Sequence, residues 1–237
     1  MSDSALRTAF ERLNIPWTEE KEQTLLSYMD RILERNRQVN LTAITDREQF
    51  IEKHIIDSLA CAGTEAFGRS GRIIDVGTGG GFPGVPLAVA FPEKSFILLD
   101  SLNKRVKIVD ELCRELGIVN VTAVHGRAED LARQEDFRDG FDLCVSRAVA
   151  NMSTLCELCL PFLRVGGTFI AYKGEGGERE VEEAGRAIEL LGGQVKEILY
   201  PAEGRFMEEH CLVQVEKLRP TDPKYPRRAG LPGRKPL

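Results

Sequence analysis

One stretch, Arg72 to Gly84 (RIIDVGTGGGFPG), limits the folds open to this chain more than any other. Ile73, Ile74, Asp75 and Val76 read as a short buried strand. The chain then turns through Gly77, Gly79, Gly80, Gly81 and Gly84, and Val85 to Phe91 resumes at helical spacing. Glycine suits such a turn because it tolerates positive φ and lets the backbone approach a ligand with no Cβ in the way. The helix behind it offers unpaired N–H groups and the positive end of its dipole. Strand, glycine turn and helix make the nucleotide-binding opening of a doubly wound α/β domain.

Glycines alone leave the nucleotide open, and two readings overlap here. Gly77-Thr78-Gly79-Gly80-Gly81, entered from Asp75, fits the acidic-x-Gly-x-Gly-x-Gly pattern of S-adenosylmethionine sites. Gly79 to Gly84 also matches the dinucleotide fingerprint G-x-G-x-x-G, but it starts well past Asp75 and puts Pro83 where the pyrophosphate-binding turn belongs.

The surroundings of the turn give the fold class. Before it, Leu6, Phe10 and Leu13 share one helical face. Thr18 can cap a second helix carrying Leu25, Tyr28, Met29, Ile32 and Leu33, and Asp46 a third carrying Phe50, Ile51, Ile55 and Leu59. From Arg72 on, short apolar runs alternate with helical segments, the pattern of βαβ units. Strands are expected at 72–76, 95–99, 121–124, 141–146, 167–172, 194–200 and 209–216. Helices are expected near 84–91, 103–117, 151–162 and 177–191, with Gly166-Gly167 and Gly192-Gly193 as stops. The last two strands are too close in sequence for a helical crossover and should pair antiparallel. A seven-stranded Rossmann-like sheet with its last strand antiparallel is the class I S-adenosylmethionine-dependent methyltransferase fold, here with an N-terminal helical extension. The expected division is a helical cap over 1–68, a methyltransferase domain over 69–218 and a basic, exposed C-terminal tail over 219–237.

Composition narrows the setting. A hydrophobic share of 42% with 29% charged residues excludes a disordered chain. The net charge of −5 argues against nucleic acid, but the seven basic residues from Lys217 to the end face only Asp222. The start shows no signal peptide, no run reaches membrane-spanning length, and the six cysteines lie mostly in apolar stretches, so a reducing cytoplasm is expected. Cys156 and Cys159 read as two buried positions on one helix.

In doubly wound folds the ligand lies at the C-terminal ends of the strands. Those ends offer Asp75 and Gly77, then Asp100 in LLDS, then Gly126 to Asp130, then Arg147, then Lys173. Asp100 can accept hydrogen bonds from both ribose hydroxyls, which S-adenosylmethionine and NAD share. Glu129 and Asp130 can start a helix or contact adenine, and Arg147 and Lys173 can point at ligand or solvent. No Asn or Asp precedes a Pro-Pro-aromatic run, no Pro-Cys pair follows a strand, and His54, His125 and His210 form no evident triad. A methyl acceptor that needs no deprotonation fits such a site, and guanine N7 is one. Catalysis then reduces to positioning and electrostatics.

Over essentially its full length the chain resembles the bacterial small-subunit ribosomal RNA guanine-N7 methyltransferase family, also called glucose-inhibited division protein B. The matching stretches are Asn40-Leu41-Thr42, His54 to Leu59, Asp75 to Gly84, Leu98 to Arg105, Gly126 to Asp130, Ser146 to Ala150, Tyr172-Lys173-Gly174 and YPRRAGLPGRKPL at the end. The resemblance implies S-adenosylmethionine, leaving as S-adenosylhomocysteine and with no metal. On that resemblance it would be bound by Gly77, Phe82, Asp100, Ala128, Glu129 and Arg147. Asp75, Gly79, Gly81, Ser101 and Leu102 are expected to join them from the turn and the end of the second strand, and Arg147 is also expected to be catalytic. The resemblance implies a target guanine in 16S RNA near the decoding centre, presented as RNA or as the 30S subunit. The basic face expected to meet it is Arg147, Lys173, Arg227 and Arg228. No membrane partner is expected, and the protein is expected to be a monomer. The rivals are a small-molecule methyltransferase of the same fold, an NAD-linked dehydrogenase and a non-catalytic ribosome-assembly module.

Overall fold

The computed structural model describes residues 5–201 and 210–237. Helices come first. α1 (Ala5–Arg12) buries Leu6 and Phe10, and α2 (Glu19–Asn36) begins at Thr18, whose hydroxyl accepts from Lys21 N at 3.2 Å. Glu19, Glu20 and Glu22 in the first turn of α2 oppose its dipole. α3 (Arg47–Phe50), capped by Asp46, passes through a π-helical turn (Ile51–Ile56) into α4 (Asp57–Leu59). Phe50, Ile55 and Leu59 are buried as the spacing requires, while Ile51 is only partly covered. The π turn is absent from the sequence reading. α5 (Glu65–Gly68) closes this part, and Lys94 Nζ donates to the carbonyls of Phe67, Gly68 and Ser70 at its end.

The sheet follows as β1 (Arg72–Val76), β2 (Ser95–Asp100), β3 (Val121–His125), β4 (Phe141–Arg147), β5 (Leu163–Lys173), β6 (Gly193–Leu199) and β7 (Cys211–Lys217). Spatial order is β3-β2-β1-β4-β5-β7-β6, with β7 antiparallel to both neighbours and the other pairings parallel. This is the class I methyltransferase sheet. Residue 209, the expected start of the last strand, lies outside the described residues. α6 (Gly84–Ala90), α7 (Asn103–Glu115), α8 (Ala128–Leu131), α9 (Met152–Cys159) and α10 (Gly177–Leu190) connect the strands. Two apolar clusters lie on opposite faces of the sheet. One holds α2 and α6, and the other holds α9 and α10. Cys156 and Cys159 are both fully buried on α9, and burial pushes their thiols up.

Two expectations are corrected. Gly166-Gly167 do not end a helix before β5; the strand starts at Leu163 and runs through them, with a register shift against β4. The segment after Leu218 is not an exposed tail. Thr221, Tyr225 and Pro232 are buried, and α11 (Leu231–Arg234) packs on α9. The reason lies in partners far away in sequence. Arg133 donates to the carbonyls of Pro223 and Lys224, and Arg138 to those of Thr221 and Tyr225. Thr154 Oγ1 donates to Pro232 O at 3.1 Å.

Candidate functional site

The glycine turn is held from below. Gly77 N and Thr78 N both donate to Leu99 O on the neighbouring strand. Asp75 is fully buried, and its Oδ2 accepts from Thr78 Oγ1 at 2.7 Å and Gly84 N at 2.9 Å. Burial outweighs those hydrogen bonds and pushes its carboxyl up to about 6. Asp75 therefore lies beneath the turn, and its Oδ1 has no hydrogen-bond partner. From α2, Tyr28 Oη donates to Gly80 O at 2.9 Å. A Cβ on Gly81, at φ +90°, would meet that hydroxyl, whereas one on Gly79, at φ +59°, would meet nothing within 4 Å. At Gly79 the turn thus presents a backbone free of any Cβ to open space. Phe82 turns the other way, into a cluster with Tyr28, Phe50 and His54.

Asp100 at the end of β2 accepts from Gly79 N at 2.9 Å and from Leu102 N at 2.8 Å, one through each oxygen. The carboxylate so fixed stands beside the opening over Gly79. Arg105, which the sequence left without a role, reaches Asn40 O at 3.2 Å and comes within 3.9 Å of Asp100. Leu102 is 51% exposed, a large apolar side chain at the rim. Ser101 is exposed, and its carbonyl pairs with His125 Nε2. Ala128 and Glu129 open α8, and Glu129 Oε1 accepts from Gly230 N at 2.7 Å, which ties the rim to the C-terminal segment.

Arg147, at the end of β4, stands in a second cluster. Its Nη1 donates to Asp57 Oδ2 at 2.6 Å and to Lys53 O at 3.0 Å. Nη2 lies 3.1 Å from His54 Nδ1. The π turn explains the carbonyl: Asp57 N bonds to Glu52 O, five residues back, which frees Lys53 O from its usual helical partner. His54 stacks on Phe82, with ring centroids 4.7 Å apart, and its Nε2 lies 2.5 Å from Thr42 Oγ1. Burial and the nearby guanidinium lower His54 to about 4, so the ring is neutral, accepting at Nδ1 and donating from Nε2. Burial pushes the Asp57 carboxyl up, but the His210 hydrogen bond and Arg147 outweigh it and hold Asp57 below its ordinary value. His54 and His210 therefore both belong to one cluster around Asp57 and Arg147, which sequence spacing did not reveal.

This cluster forms one wall of a cavity of about 310 Å³ at the ends of β4 and β5. Lys173 forms the opposite wall, with Nζ 2.7 Å from Glu180 Oε2 and 3.0 Å from Ala150 O. The structure thus brings Arg147 and Lys173 to one cavity beside the glycine turn. It does not bring Arg227 there. That guanidinium is held by Glu157, fully buried on α9, through Nε at 2.9 Å and Nη2 at 2.6 Å. Arg228 beside it is exposed. Tyr28, Asp57 and Glu180 were missed as site residues. Asp57 alone left a signal, inside the quoted stretch His54 to Leu59.

Residues 21–208 match the family described as "GidB: rRNA small subunit methyltransferase G". The chain belongs to this family. Ribosomal RNA small subunit methyltransferase G of Clostridium tetani is 47% identical, over 98% of this chain and 97% of that protein. The protein of that name from Alkaliphilus metalliredigens is 44% identical, over 100% and 99%. In fold, the chain is similar to the mitomycin 7-O-methyltransferase MmcR (TM-score 0.55, 14% identity, 69% of this chain and 53% of that one). It is likewise similar to precorrin-6y C5,15-methyltransferase of Geobacter metallireducens (TM-score 0.50, 13% identity, 73% and 90%).

Proposed function

We propose that this chain transfers a methyl group from S-adenosylmethionine to N7 of one guanine in 16S ribosomal RNA near the decoding centre. The observation that carries the reading is Asp100, fixed by two backbone N–H groups beside the open face of Gly79. An anionic acceptor so placed suits a ribose diol, and the half-exposed Leu102 next to it suits the face of an adenine. Gly77, Gly79 and Gly81 would form the floor under the amino-acid end, with Asp75 bracing them from below and Phe82 anchoring the turn from its far side. Ser101, Leu102, Ala128 and Glu129 would border the adenine. The donor supplies a methyl group on a sulfonium cation.

The acceptor reading rests on the cavity. His54 is neutral, and its Nδ1 lone pair is directed at Arg147, so the ring is not poised as a base. Arg147 cannot act as one at all. A site of this kind suits guanine N7, whose lone pair is available without deprotonation. Arg147 would be the catalytic residue in an electrostatic sense, orienting the base through its remaining N–H groups. Lys173 and exposed Arg228 would meet RNA, and Arg227 would act there by fixing the segment that carries Arg228. The protein would work on cytoplasmic ribosomal RNA or the 30S particle. Among the described residues no helix is long and apolar enough to cross a membrane.

The test is transfer of labelled methyl from S-adenosylmethionine to small-subunit ribosomal RNA from cells lacking this gene, followed by mapping of the labelled base. Label on a single guanine N7 is the expected result. Donor binding without label on RNA or subunits would favour a small-molecule methyltransferase instead.

A further inference from the structure

The cavity's second wall carries an arrangement that donor binding does not use. Along the sheet edge the order is β1, β4, β5, so Arg147 stands between the glycine turn and Lys173. Lys173 is only 10% exposed, and its ammonium has three N–H groups. Ala150 O accepts one of them at 3.0 Å, Glu180 Oε2 stands 2.7 Å from Nζ as its ion-pair partner, and no other described residue accepts from it. Glu180, on α10, also accepts from Met152 N at 2.9 Å through the same Oε2, and its Oε1 accepts from no described residue. The wall thus presents one open cationic donor beside one open carboxylate oxygen, held in place by backbone contacts on both sides.

We propose that this cavity receives the target guanine as a single base turned out of the RNA, and that the Lys173–Glu180 pair reads its Watson–Crick edge. This deepens the function proposed above and rests on it. Guanine offers an acceptor at O6 next to donors at N1–H and the 2-amino group, which complement the ammonium and the carboxylate respectively. Its N7 lies on the neighbouring edge and stays uncovered, on the side of Arg147 and the glycine turn. Adenine has a donor where guanine has O6, an acceptor at N1 and no 2-amino group, so the same wall meets it with mismatched partners. At about 310 Å³ the cavity sits at the lower end of the roughly 300–1,000 Å³ of small-ligand pockets, in keeping with one base. Extrusion costs stacking energy, and contacts to the freed Watson–Crick edge are what offset it.

The proposal is tested with full-length protein and small-subunit RNA in which the mapped guanine is replaced by inosine, introduced on a ligated synthetic segment. Inosine keeps N7, O6 and N1–H and lacks only the 2-amino group. The unaltered protein is expected to methylate the inosine RNA roughly 10- to 100-fold less efficiently in kcat/KM. Glu180→Ala is expected to treat the two RNAs alike, with donor affinity by calorimetry unchanged. Glu180→Gln keeps an acceptor for Met152 N, so it preserves the local fold should the alanine variant fail, and it is expected to lose the same discrimination. Undiminished preference for guanine in both variants overturns the proposal, as does an unaltered protein that does not distinguish inosine from guanine. An unaltered protein that labels no guanine at all strikes the function reading itself, and the base pocket with it.

Discussion

Two buried arginine–carboxylate pairs, Arg147–Asp57 and Arg227–Glu157, look equivalent by distance, at 2.6 Å each. Their surroundings differ. Glu157 is saturated: Oε1 accepts from Arg227 N and Nε, and Oε2 from Nε and Nη2, while Nη2 also reaches Lys235 O. Glu157 has nothing left to offer a ligand. Although Arg227 Nη1 has no described partner, Arg227 does not line the cavity at the ends of β4 and β5, so the pair acts as a staple between α9 and the C-terminal segment. Arg147 keeps Nε and one Nη2 hydrogen without a described partner, and it borders a cavity. A buried ion pair is thus a poor guide to function by itself. Uncommitted valence next to open space separates a site from a staple.

The largest effect expected from breaking this comparison is on the staple. Arg227→Ala strands Glu157 as an uncompensated buried charge, at about 3–5 kcal/mol of stability. Urea unfolding measures it. Replacing both partners by methionine should recover most of the loss, because an apolar pair of similar volume carries no desolvation cost. A rate defect in the single variant without a stability defect would show that Arg227 belongs to the site. Arg147→Lys is the converse. A lysine still neutralises Asp57 but lacks the planar fork that reaches Lys53 O, Asp57 and His54 together. Methyl transfer should fall about 100-fold while stability and donor affinity stay close to the unaltered values. Loss of stability with no loss of rate would make Arg147 a second staple.

How much of this was legible in the sequence follows the range of the interactions. β1 spans 72–76 as the apolar run predicts, and α2 and α3 begin at Thr18 and Asp46, because a cap or a buried strand is written in neighbouring residues. Asp100 was legible too, since the fold dictates what stands at the end of β2. The docked C-terminal segment was not. Its prolines and basic residues have the composition of a solvated tail, and the arginines and the glutamate that hold it come from residues 133, 138 and 157. The π turn was equally hidden, because it shifts a hydrogen-bond register without disturbing the apolar spacing of Phe50, Ile55 and Leu59. With it went the link from Lys53, His54 and Asp57 to Arg147.

The smallest expected effect sharpens the contrast from the side of pH. His54 is lowered from 6.5 to about 4 by burial and by Arg147, so the fold favours its neutral form. A depressed folded value means that the contribution is fully present above pH 6.5 and is lost as pH falls through about 4. The histidine's own contribution should therefore decline across that window by on the order of 2 kcal/mol, discounting for the ring's partial exposure. Asp75, raised to about 6, acts in the opposite direction over the same range. Asp57 is also held low, but its contribution is lost only below its unfolded value of 3.8 and falls outside the window. His54→Asn puts an amide oxygen where Nδ1 accepts from Arg147, and it removes the titration. The difference in unfolding free energy between the two proteins, followed from pH 7 to pH 4, isolates the histidine from every other titrating group. It should grow in favour of the variant as pH falls. A difference that stays constant would mean that the ring is not held neutral beside Arg147. The guanidinium would then lack the fixed acceptor that leaves its remaining N–H groups to the cavity.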